Sequence, residues 1–178
     1  MIRFQPISTS DVQHYKFMEE LLVDTFPPEE YRQLEHLREY TDRTGNFHNN
    51  IIFDDETPLG LLTYWDFDSF YYVEHFAINP ALRNGGYGKR TMDYLLSMVD
   101  QPVVLEVERP TEEMAKRRIE FYQRQGFRLW TQNYEQPPYK AGDKYLPMYL
   151  MVYGNLAPAK DYETVKAKIY SEVYGVNE

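Results

Sequence analysis

The residues best suited to bind a charged ligand form a glycine-rich loop between a predicted strand and a predicted helix. The loop contains Arg83, Gly86 and Gly88 in the spacing Arg-x-x-Gly-x-Gly. Glycines let the backbone approach a phosphate closely, and the helix that follows adds N–H donors and the positive end of its dipole. The spacing therefore predicts a phosphate-binding loop at residues 83–89.

Two common phosphate-binding patterns do not fit this loop. A Walker loop requires a glycine five residues before Gly88, where the chain has Arg83. A dinucleotide-binding loop that begins at Gly86 requires a third glycine at Thr91, and it follows the first strand of its sheet. The phosphate ligand is therefore expected to belong to another class.

The segment at residues 73–88 closely resembles motif A of the GNAT acetyltransferases. The resemblance covers the strand, the spacing from Pro80 to Arg83 and the amphipathic helix that follows. It implies that the loop wraps the pyrophosphate of coenzyme A, through Arg83, Asn84, Gly85, Gly86, Tyr87, Gly88 and Lys89. It also implies that backbone groups of the preceding strand hold the pantetheine arm and can supply an oxyanion donor, at Phe76, Ala77 and Ile78.

A second motif lies one strand and one helix further along the chain. The segment Phe-Tyr-x-x-x-Gly-Phe at residues 121–127 resembles motif B of the same family. The family places this tyrosine hydroxyl near the cofactor sulfur, which makes Tyr122 the candidate acid for the thiolate leaving group. The alternative is that Tyr122 is a core aromatic residue.

One position departs from the family pattern. Many members carry an asparagine that helps to hold the cofactor where this chain has Ala115. Arg117 or Arg118 is a candidate replacement that would reach a phosphate, and the alternative is that both arginines are solvated surface residues.

Acetyl transfer also needs a base, since an alkyl ammonium group has a pKa of about 10.4. Glu74 is the first candidate because it interrupts an apolar and aromatic strand, where a carboxylate needs a partner, water or a catalytic task. Strand alternation places it on the same face as Tyr72 and Phe76, so that desolvation suits it to accept a proton. Glu106 is the second candidate and a water molecule the third, and either acid can instead be structural.

Charge and composition restrict the acceptor. The net charge of −9 disfavours nucleic acid as a partner and favours a cationic primary amine of a small molecule or peptide. Acidic and aromatic side chains near Glu74 would also favour a cationic acceptor. They are Asp66, Asp68, Tyr64, Trp65, Tyr71 and Tyr72. The chain has no cysteine, so we expect direct transfer in a ternary complex, and its histidines show no metal-ligand spacing, so we expect no metal. The resemblance implies acetyl-CoA as the co-substrate.

The remaining pattern predicts the elements that position these residues. Strands are predicted at residues 2–7, 50–53, 59–65, 71–78, 103–108, 127–134 and 145–153. Helices are predicted after Ser8, at Glu29-Glu30, after Gly88, after Pro110 and at about 161–174. The order predicts an α/β fold, a GNAT-type mixed central sheet of about seven strands flanked by helices, as a single domain over residues 1–178.

Two other functions stay open. A non-catalytic acyl-CoA-binding module on the same fold would bind acetyl-CoA without turnover, and an aminoacyl-tRNA-dependent transferase would need a basic surface that the charge disfavours. The chain has neither an apolar run that could span a bilayer nor an N-terminal signal pattern, which predicts a cytoplasmic protein with no membrane partner. The acceptor amine and the oligomeric state, including a homodimer, are left open.

Overall fold

The computed structural model describes residues 1–177, in which seven strands form one mixed sheet flanked by five α-helices. The strands are β1 (Ile2–Pro6), β2 (Phe47–Asp54), β3 (Thr57–Asp66), β4 (Tyr71–Ile78), β5 (Val103–Glu108), β6 (Arg128–Gln136) and β7 (Leu146–Tyr153). The helices are α1 (Val12–Thr25), α2 (Leu34–Arg43), α3 (Tyr87–Met98), α4 (Glu113–Arg124) and α5 (Pro158–Val173). The sheet order is β1-β2-β3-β4-β5-β7-β6, which confirms the predicted fold class.

The chain forms two compact units, and the prediction of a single domain stays a prediction. The N-terminal unit comprises Met1–Asp66 and Val73–Val99. In it β1, β2 and β3 pair antiparallel, and α1 packs against β3. The core residues of β2 and β3 are buried in continuous apolar runs, at Ile51, Ile52, Leu61 and Leu62. Such runs are typical of strands that are covered on both faces.

The C-terminal unit comprises Phe67–Tyr72 and the chain from Asp100. In it β7 pairs antiparallel with β5 and β6, and α5 packs against β6. The register of β6 shifts between Trp130 and Tyr134. The guanidinium of Arg109 stabilises this irregularity, because it donates to the carbonyl oxygen of Tyr134 at 3.0 Å and to that of Met148 at 3.2 Å. These contacts fix the position of Tyr134, whose hydroxyl contacts Glu106.

Several boundaries differ from the sequence prediction. Residues Pro28–Glu30 form a short 3₁₀ turn, and α2 begins at Leu34 rather than at the Glu29-Glu30 pair. The chain is extended at Tyr31 because the side chains of Tyr31 and Arg32 are buried, so tertiary packing overrides the helix signal. Gly126, the glycine of the second motif, has a φ of 98° and provides the left-handed cap that ends α4, a role typical of a glycine directly after a helix.

Two features are absent from the described part of the chain. No helix there combines the length and apolarity needed to cross a bilayer. No group of three or more histidine, aspartate or glutamate side chains among those residues is placed to hold a metal ion.

Candidate active site

The predicted phosphate loop lies on the surface of the N-terminal unit, directly before α3. Asn84 and Gly86 have φ values of 68° and 74°, in the left-handed region that asparagine and glycine adopt at least cost. Gly86 is the N-cap of α3, and a Cβ atom added there would meet no atom within 4 Å. The loop backbone therefore borders open space that a ligand can occupy.

The first turn of α3 supplies hydrogen-bond donors to this space. No side chain in the described residues caps the helix. The N–H of Arg90 bonds to the carbonyl oxygen of Gly86 at 3.1 Å, so the preceding N–H groups of Tyr87, Gly88 and Lys89 have no acceptor within the helix. Together with the helix dipole, these three donors form an anion-binding site that suits a pyrophosphate.

Ion pairs and a strand contact hold the loop in position. The guanidinium of Arg90 contacts both carboxylate oxygens of Asp54, at 3.1 Å each, which joins α3 to the end of β2. On the other side of the loop, the N–H of Asn79 donates to the carbonyl oxygen of Leu59 at 2.7 Å. Both ends of the loop are thus attached to strands of the N-terminal unit.

The backbone of β4 offers donors at alternate residues. Since the N–H of Asn79 points to β3, the backbone groups of Ala77, two residues earlier, point to β3 as well. A Cβ atom added at Gly60 of β3 would lie 2.1 Å from the carbonyl oxygen of Ala77, which shows how closely the strands approach there. The amide groups of Phe76 and Ile78 consequently point away from β3, and a contact between either amide and a ligand stays a prediction.

The carboxylate of Glu74 is buried, with 1% of its side chain exposed, and both its oxygens have partners. Oε2 lies 2.6 Å from Nη2 of Arg32, and Oε1 accepts from Nε1 of Trp65 at 2.7 Å. The guanidinium of Arg32 also lies over the ring of Tyr40, 4.4 Å from its centroid. These contacts stabilise the ionised carboxylate and support the structural alternative for Glu74, while its role as the base stays a prediction.

His75, the residue after Glu74, contacts the connection between α1 and α2 from the opposite face of β4. Nε2 of His75 donates to the carbonyl oxygen of Glu30 at 2.8 Å, and its ring packs edge-on against Phe26. Burial lowers the pKa of His75, despite the nearby Glu74 carboxylate. The ring of His75 thus packs within the protein and anchors the connection between α1 and α2.

The aromatic side chains predicted to surround a cationic acceptor have other contacts within the protein. The ring of Tyr64 stacks on His48 at 4.8 Å between centroids. The hydroxyl of Tyr71 donates to Asp100 at 3.1 Å. Trp65 contacts Glu74 and the guanidinium of Arg32, which lies 5.9 Å from the indole ring. The cation beside Trp65 is therefore an arginine of the protein itself.

Tyr122 lies near the C-terminal end of α4, in the C-terminal unit. It is 7% exposed and packs between the rings of Phe121 and Phe127, at centroid distances of 5.2 and 5.4 Å. Burial raises the pKa of Tyr122 to about 12, and the guanidinium of Arg118 opposes the shift. The hydroxyl therefore stays protonated at neutral pH, which a hydrogen-bond donor requires.

Arg117 and Arg118, the two candidate replacements for the cofactor-binding asparagine of the family, lie on the exposed face of α4. Arg117 pairs with Glu113 one turn earlier at 3.5 Å, with 69% of each side chain exposed. Arg118 is also exposed. A phosphate contact from either arginine stays a prediction.

Glu106 on β5 accepts hydrogen bonds from two tyrosine hydroxyls. Tyr134 on β6 donates to Oε1 at 2.5 Å, and Tyr174, directly after α5, contacts both carboxylate oxygens at 3.0 and 2.8 Å. The sequence identified Glu106, but it gave no indication of these partners, which come from elements 28 and 68 residues away. Arg32 was missed for the same reason, since its partner Glu74 lies 42 residues further along the chain.

The structure thus divides the predicted site residues between the two units. The phosphate loop, Phe76–Ile78 and Glu74 belong to the N-terminal unit, whereas Tyr122 and Glu106 belong to the C-terminal unit. Only residues 79–82 separate the three β4 residues from the loop, which explains why their arrangement was predictable from a local motif.

Comparison with known proteins identifies a family. The sequence model of the acetyltransferase (GNAT) family matches residues 15–127, a range that includes both glycine-containing motifs. A curated relative from Bacillus subtilis, YjbC, which is classed as an acetyltransferase, is 28% identical over 111 residues. That match covers 61% of this chain but spans only about half of the Bacillus protein, 55% of its length.

Solved structures share the fold. A protein from Bacteroides thetaiotaomicron, classed as a GNAT-family acetyltransferase, is 74% identical, with a TM-score of 0.97 over 98% of this chain and 99% of that chain. Arabidopsis thaliana NAA60 in complex with acetyl-CoA is 18% identical, with a TM-score of 0.61 over 86% of this chain and 98% of that chain. At such low identity the Arabidopsis structure shows likeness of fold alone.

Proposed function

The chain belongs to the GNAT acetyltransferase family, and from this premise we propose that it transfers an acetyl group from acetyl-CoA to a primary amine of a small molecule or peptide. The observation that carries the proposal is the open glycine loop at the N-terminus of α3, with three N–H donors that have no acceptor within the helix. This loop lies within the residues that the family model matches. A solved member of this fold, Arabidopsis NAA60, binds acetyl-CoA.

The residues of the N-terminal unit fit the two parts of the cofactor. The loop from Arg83 to Lys89 suits the pyrophosphate, because its donors and the helix dipole favour an anion. The amides of Phe76 and Ile78 suit the polar groups of the pantetheine arm, because they point away from β3. In this proposal one of these N–H groups also donates to the oxyanion that forms during transfer.

We place Tyr122 beside the departing sulfur as a hydrogen-bond donor. The amine attacks the thioester carbonyl, a C–N bond forms, the C–S bond breaks and the sulfur leaves as a thiolate. A thiol has a pKa of about 8.5, whereas the pKa of Tyr122 is about 12. Full proton transfer to the thiolate would therefore cost about 5 kcal/mol, so the hydroxyl stabilises the thiolate mainly by donating a hydrogen bond.

The amine must lose a proton before it attacks, and two carboxylates are proposed as acceptors. Glu74 is held in its ionised form by Arg32 and Trp65, so it needs no prior deprotonation. Glu106 is the alternative, and a water molecule is the third candidate. Because the chain has no cysteine, direct transfer in a ternary complex is favoured over a covalent acyl-enzyme.

A thiol-release assay with acetyl-CoA and a panel of amines, peptides and aminoglycosides tests this function. We expect turnover with at least one cationic primary amine, and mass spectrometry should show that the product gains one acetyl group. Calorimetric binding of acetyl-CoA without turnover of any amine would support the alternative, a non-catalytic acyl-CoA-binding module. The cytoplasmic location and a homodimer stay predictions.

A further inference from the structure

One arginine in the first turn of α3, Arg90, connects three neighbouring parts of the N-terminal unit. Its backbone N–H bonds to the carbonyl oxygen of Gly86 at 3.1 Å. Its guanidinium donates to both carboxylate oxygens of Asp54, at 3.1 Å each. The same guanidinium lies over the ring of Tyr87, 5.3 Å from the ring centroid. Arg90 thus contacts the glycine loop, the end of β2 and the first residue of α3.

The ring of Tyr87 also packs against the backbone of the glycine loop. A Cβ atom added at Gly85 would lie 2.9 Å from Cε2 and 3.1 Å from Cδ2 of this ring, so the ring approaches the loop closely there. The ring therefore links the loop backbone to the guanidinium of Arg90. Because the N–H of Tyr87 is one of the three donors of the proposed pyrophosphate site, a shift of Arg90 would also shift a donor.

The rest of α3 is anchored further along the helix. The ring of Tyr94 packs edge-on against Phe4 of β1, at 4.9 Å between centroids. The buried side chains of α3 include Thr91, Met92 and Leu95. All of these residues follow the first turn, whereas the contact between Arg90 and Asp54 joins side chains that are 46% and 22% exposed. Loss of that contact is therefore expected to move the loop end of the helix while the helix stays packed.

We propose that Asp54 is a positioning residue for acetyl-CoA, which acts through Arg90 on the N–H donors at the N-terminus of α3. The inference rests on the proposed function. A carboxylate that accepts two bonds from one guanidinium fixes its orientation as well as its distance. Donors bind an anion best when they already point to the place that it occupies. Asp54 therefore favours the binding of an anion, although its own charge repels that anion.

Asp54→Asn distinguishes this positioning from a simple effect of charge, because the two predict changes of opposite sign. The variant keeps the shape of the side chain, removes one negative charge and leaves one acceptor oxygen in place of two. If charge alone matters, anionic acetyl-CoA should bind slightly more tightly. If Asp54 positions the donors, calorimetry should show about fivefold weaker binding, and the acetyl-CoA KM should rise equally at unchanged kcat. Unchanged or tighter binding would overturn the inference.

Asp55→Asn is the matched control. Asp54 and Asp55 both contact the N-terminal ammonium of Met1, at 2.7 and 2.5 Å. Within the described residues, the guanidinium of Arg90 bonds to Asp54 and not to Asp55. Asparagine also tolerates the φ of 53° at position 55. We expect Asp55→Asn to bind acetyl-CoA as tightly as the wild type or slightly more tightly, and an equal loss in both variants would assign the effect to another contact.

Arg90→Met connects the effect to the proposed partner. It should weaken acetyl-CoA binding at least as much as Asp54→Asn, because it removes both the ion pair and a positive charge. The double variant Asp54→Asn/Arg90→Met should bind acetyl-CoA as Arg90→Met does, since Asp54 then has no guanidinium to orient. Additive losses of affinity would show that Asp54 does not act through Arg90. A pair that only stabilises the fold would change the denaturant midpoint and leave the affinity at the wild-type value, which would also overturn the inference.

The outcomes separate this inference from the function beneath it. Acetyl-CoA binding without turnover of any amine contradicts the proposed function, and the same titrations still decide the role of Asp54. Turnover of an amine together with wild-type affinity in Asp54→Asn leaves the acetyltransferase function intact and rejects the positioning role alone. A wild-type protein that binds no acetyl-CoA would overturn both.

Discussion

At the scale of single residues, the two candidate bases, Glu74 and Glu106, differ in the groups that contact their carboxylates. Glu74 contacts a guanidinium and an indole N–H, so its charge is balanced within the protein. Glu106 contacts two neutral hydroxyl groups that keep it anionic and oriented. The partners of Glu74 thus include a cation and an N–H donor, whereas those of Glu106 include two phenolic hydroxyl groups.

The role of Tyr122 can be tested by removing its hydroxyl. Tyr122→Phe should lower kcat about 10- to 100-fold and leave calorimetric acetyl-CoA affinity unchanged, because only a hydrogen-bond donor to the leaving sulfur is lost. Tyr153→Phe is a control in the same aromatic stack, since Tyr153 packs on Phe127 at a centroid distance of 5.6 Å. It should keep wild-type kcat. Unchanged turnover in Tyr122→Phe would make Tyr122 a packing residue only.

The same variant should change the alkaline stability. The folded pKa of Tyr122 is about 12, above the value of about 10 expected in the unfolded chain. Folding therefore favours the protonated form, and this stabilisation is complete below pH 10 and is lost as the pH rises towards about 12. We expect the free energy of unfolding to fall less steeply over that range in Tyr122→Phe, by at most about 3 kcal/mol. Denaturant titrations at a series of pH values measure the difference.

Gly86→Val tests the phosphate loop. Valine is strained at the φ of 74°, and its branched side chain would occupy the space next to the three N–H donors of α3. Gly142→Val is the matched control, because Gly142 also has a positive φ, 91°, and open space around an added Cβ atom. Both variants should lose about 1–2 kcal/mol of stability, but only Gly86→Val should weaken acetyl-CoA binding. Equal affinities by calorimetry would show that the loop does not hold the pyrophosphate.

At the scale of elements, the connection between α1 and α2 is attached to β4 at two points. Arg32 reaches Glu74, and the carbonyl oxygen of Glu30 accepts from His75. The two β4 residues are neighbours whose side chains lie on opposite faces of the strand. The connection is therefore held from both faces, which explains why it is a short 3₁₀ turn with an extended segment rather than the start of a helix.

Arg32→Met tests this attachment. It would leave the Glu74 carboxylate buried without its cation, which should cost about 3–5 kcal/mol of stability in denaturant unfolding. Arg38→Met is the control, because Arg38 also packs over a tyrosine ring and pairs with an acid but is 48% exposed. It should cost about 1 kcal/mol or less.

The double variant Arg32→Met/Glu74→Gln distinguishes the contribution of the two charges to stability from the contribution of side-chain packing. It removes both charges, so its loss of stability should be much smaller than the sum of the two single losses. Additive losses would mean that the ion pair does not stabilise the connection.

At the scale of the whole molecule, the family match covers residues 15–127 and leaves the last strands and the last helix outside it. The matched residues, 15–127, contain the phosphate loop, Tyr122 and Glu106. Beyond them lie β6, β7 and α5, together with Tyr134 and Tyr174, whose hydroxyl groups donate to Glu106.

The sequence by itself determined the features that depend on local chain geometry. The loop at residues 83–89 was predictable because a strand, a glycine turn and a helix N-terminus follow one another, and their backbone groups form the site. The alternation of apolar residues along strands and helices predicted the mixed sheet and its five helices. Gly126 likewise marked the end of α4, because few other residues adopt its positive φ.

Only the tertiary structure decided what the two acids contact. The partners of Glu74 and Glu106 include side chains 42 and 68 residues away in the chain, so no local pattern contains them. The start of α2 was mispredicted for the same physical reason. Burial of Tyr31 and Arg32 extends the chain where the acidic pair Glu29-Glu30 favours a helix. Pairing of side chains across the fold depends on how the elements pack, and the sequence pattern of a single element does not determine that packing.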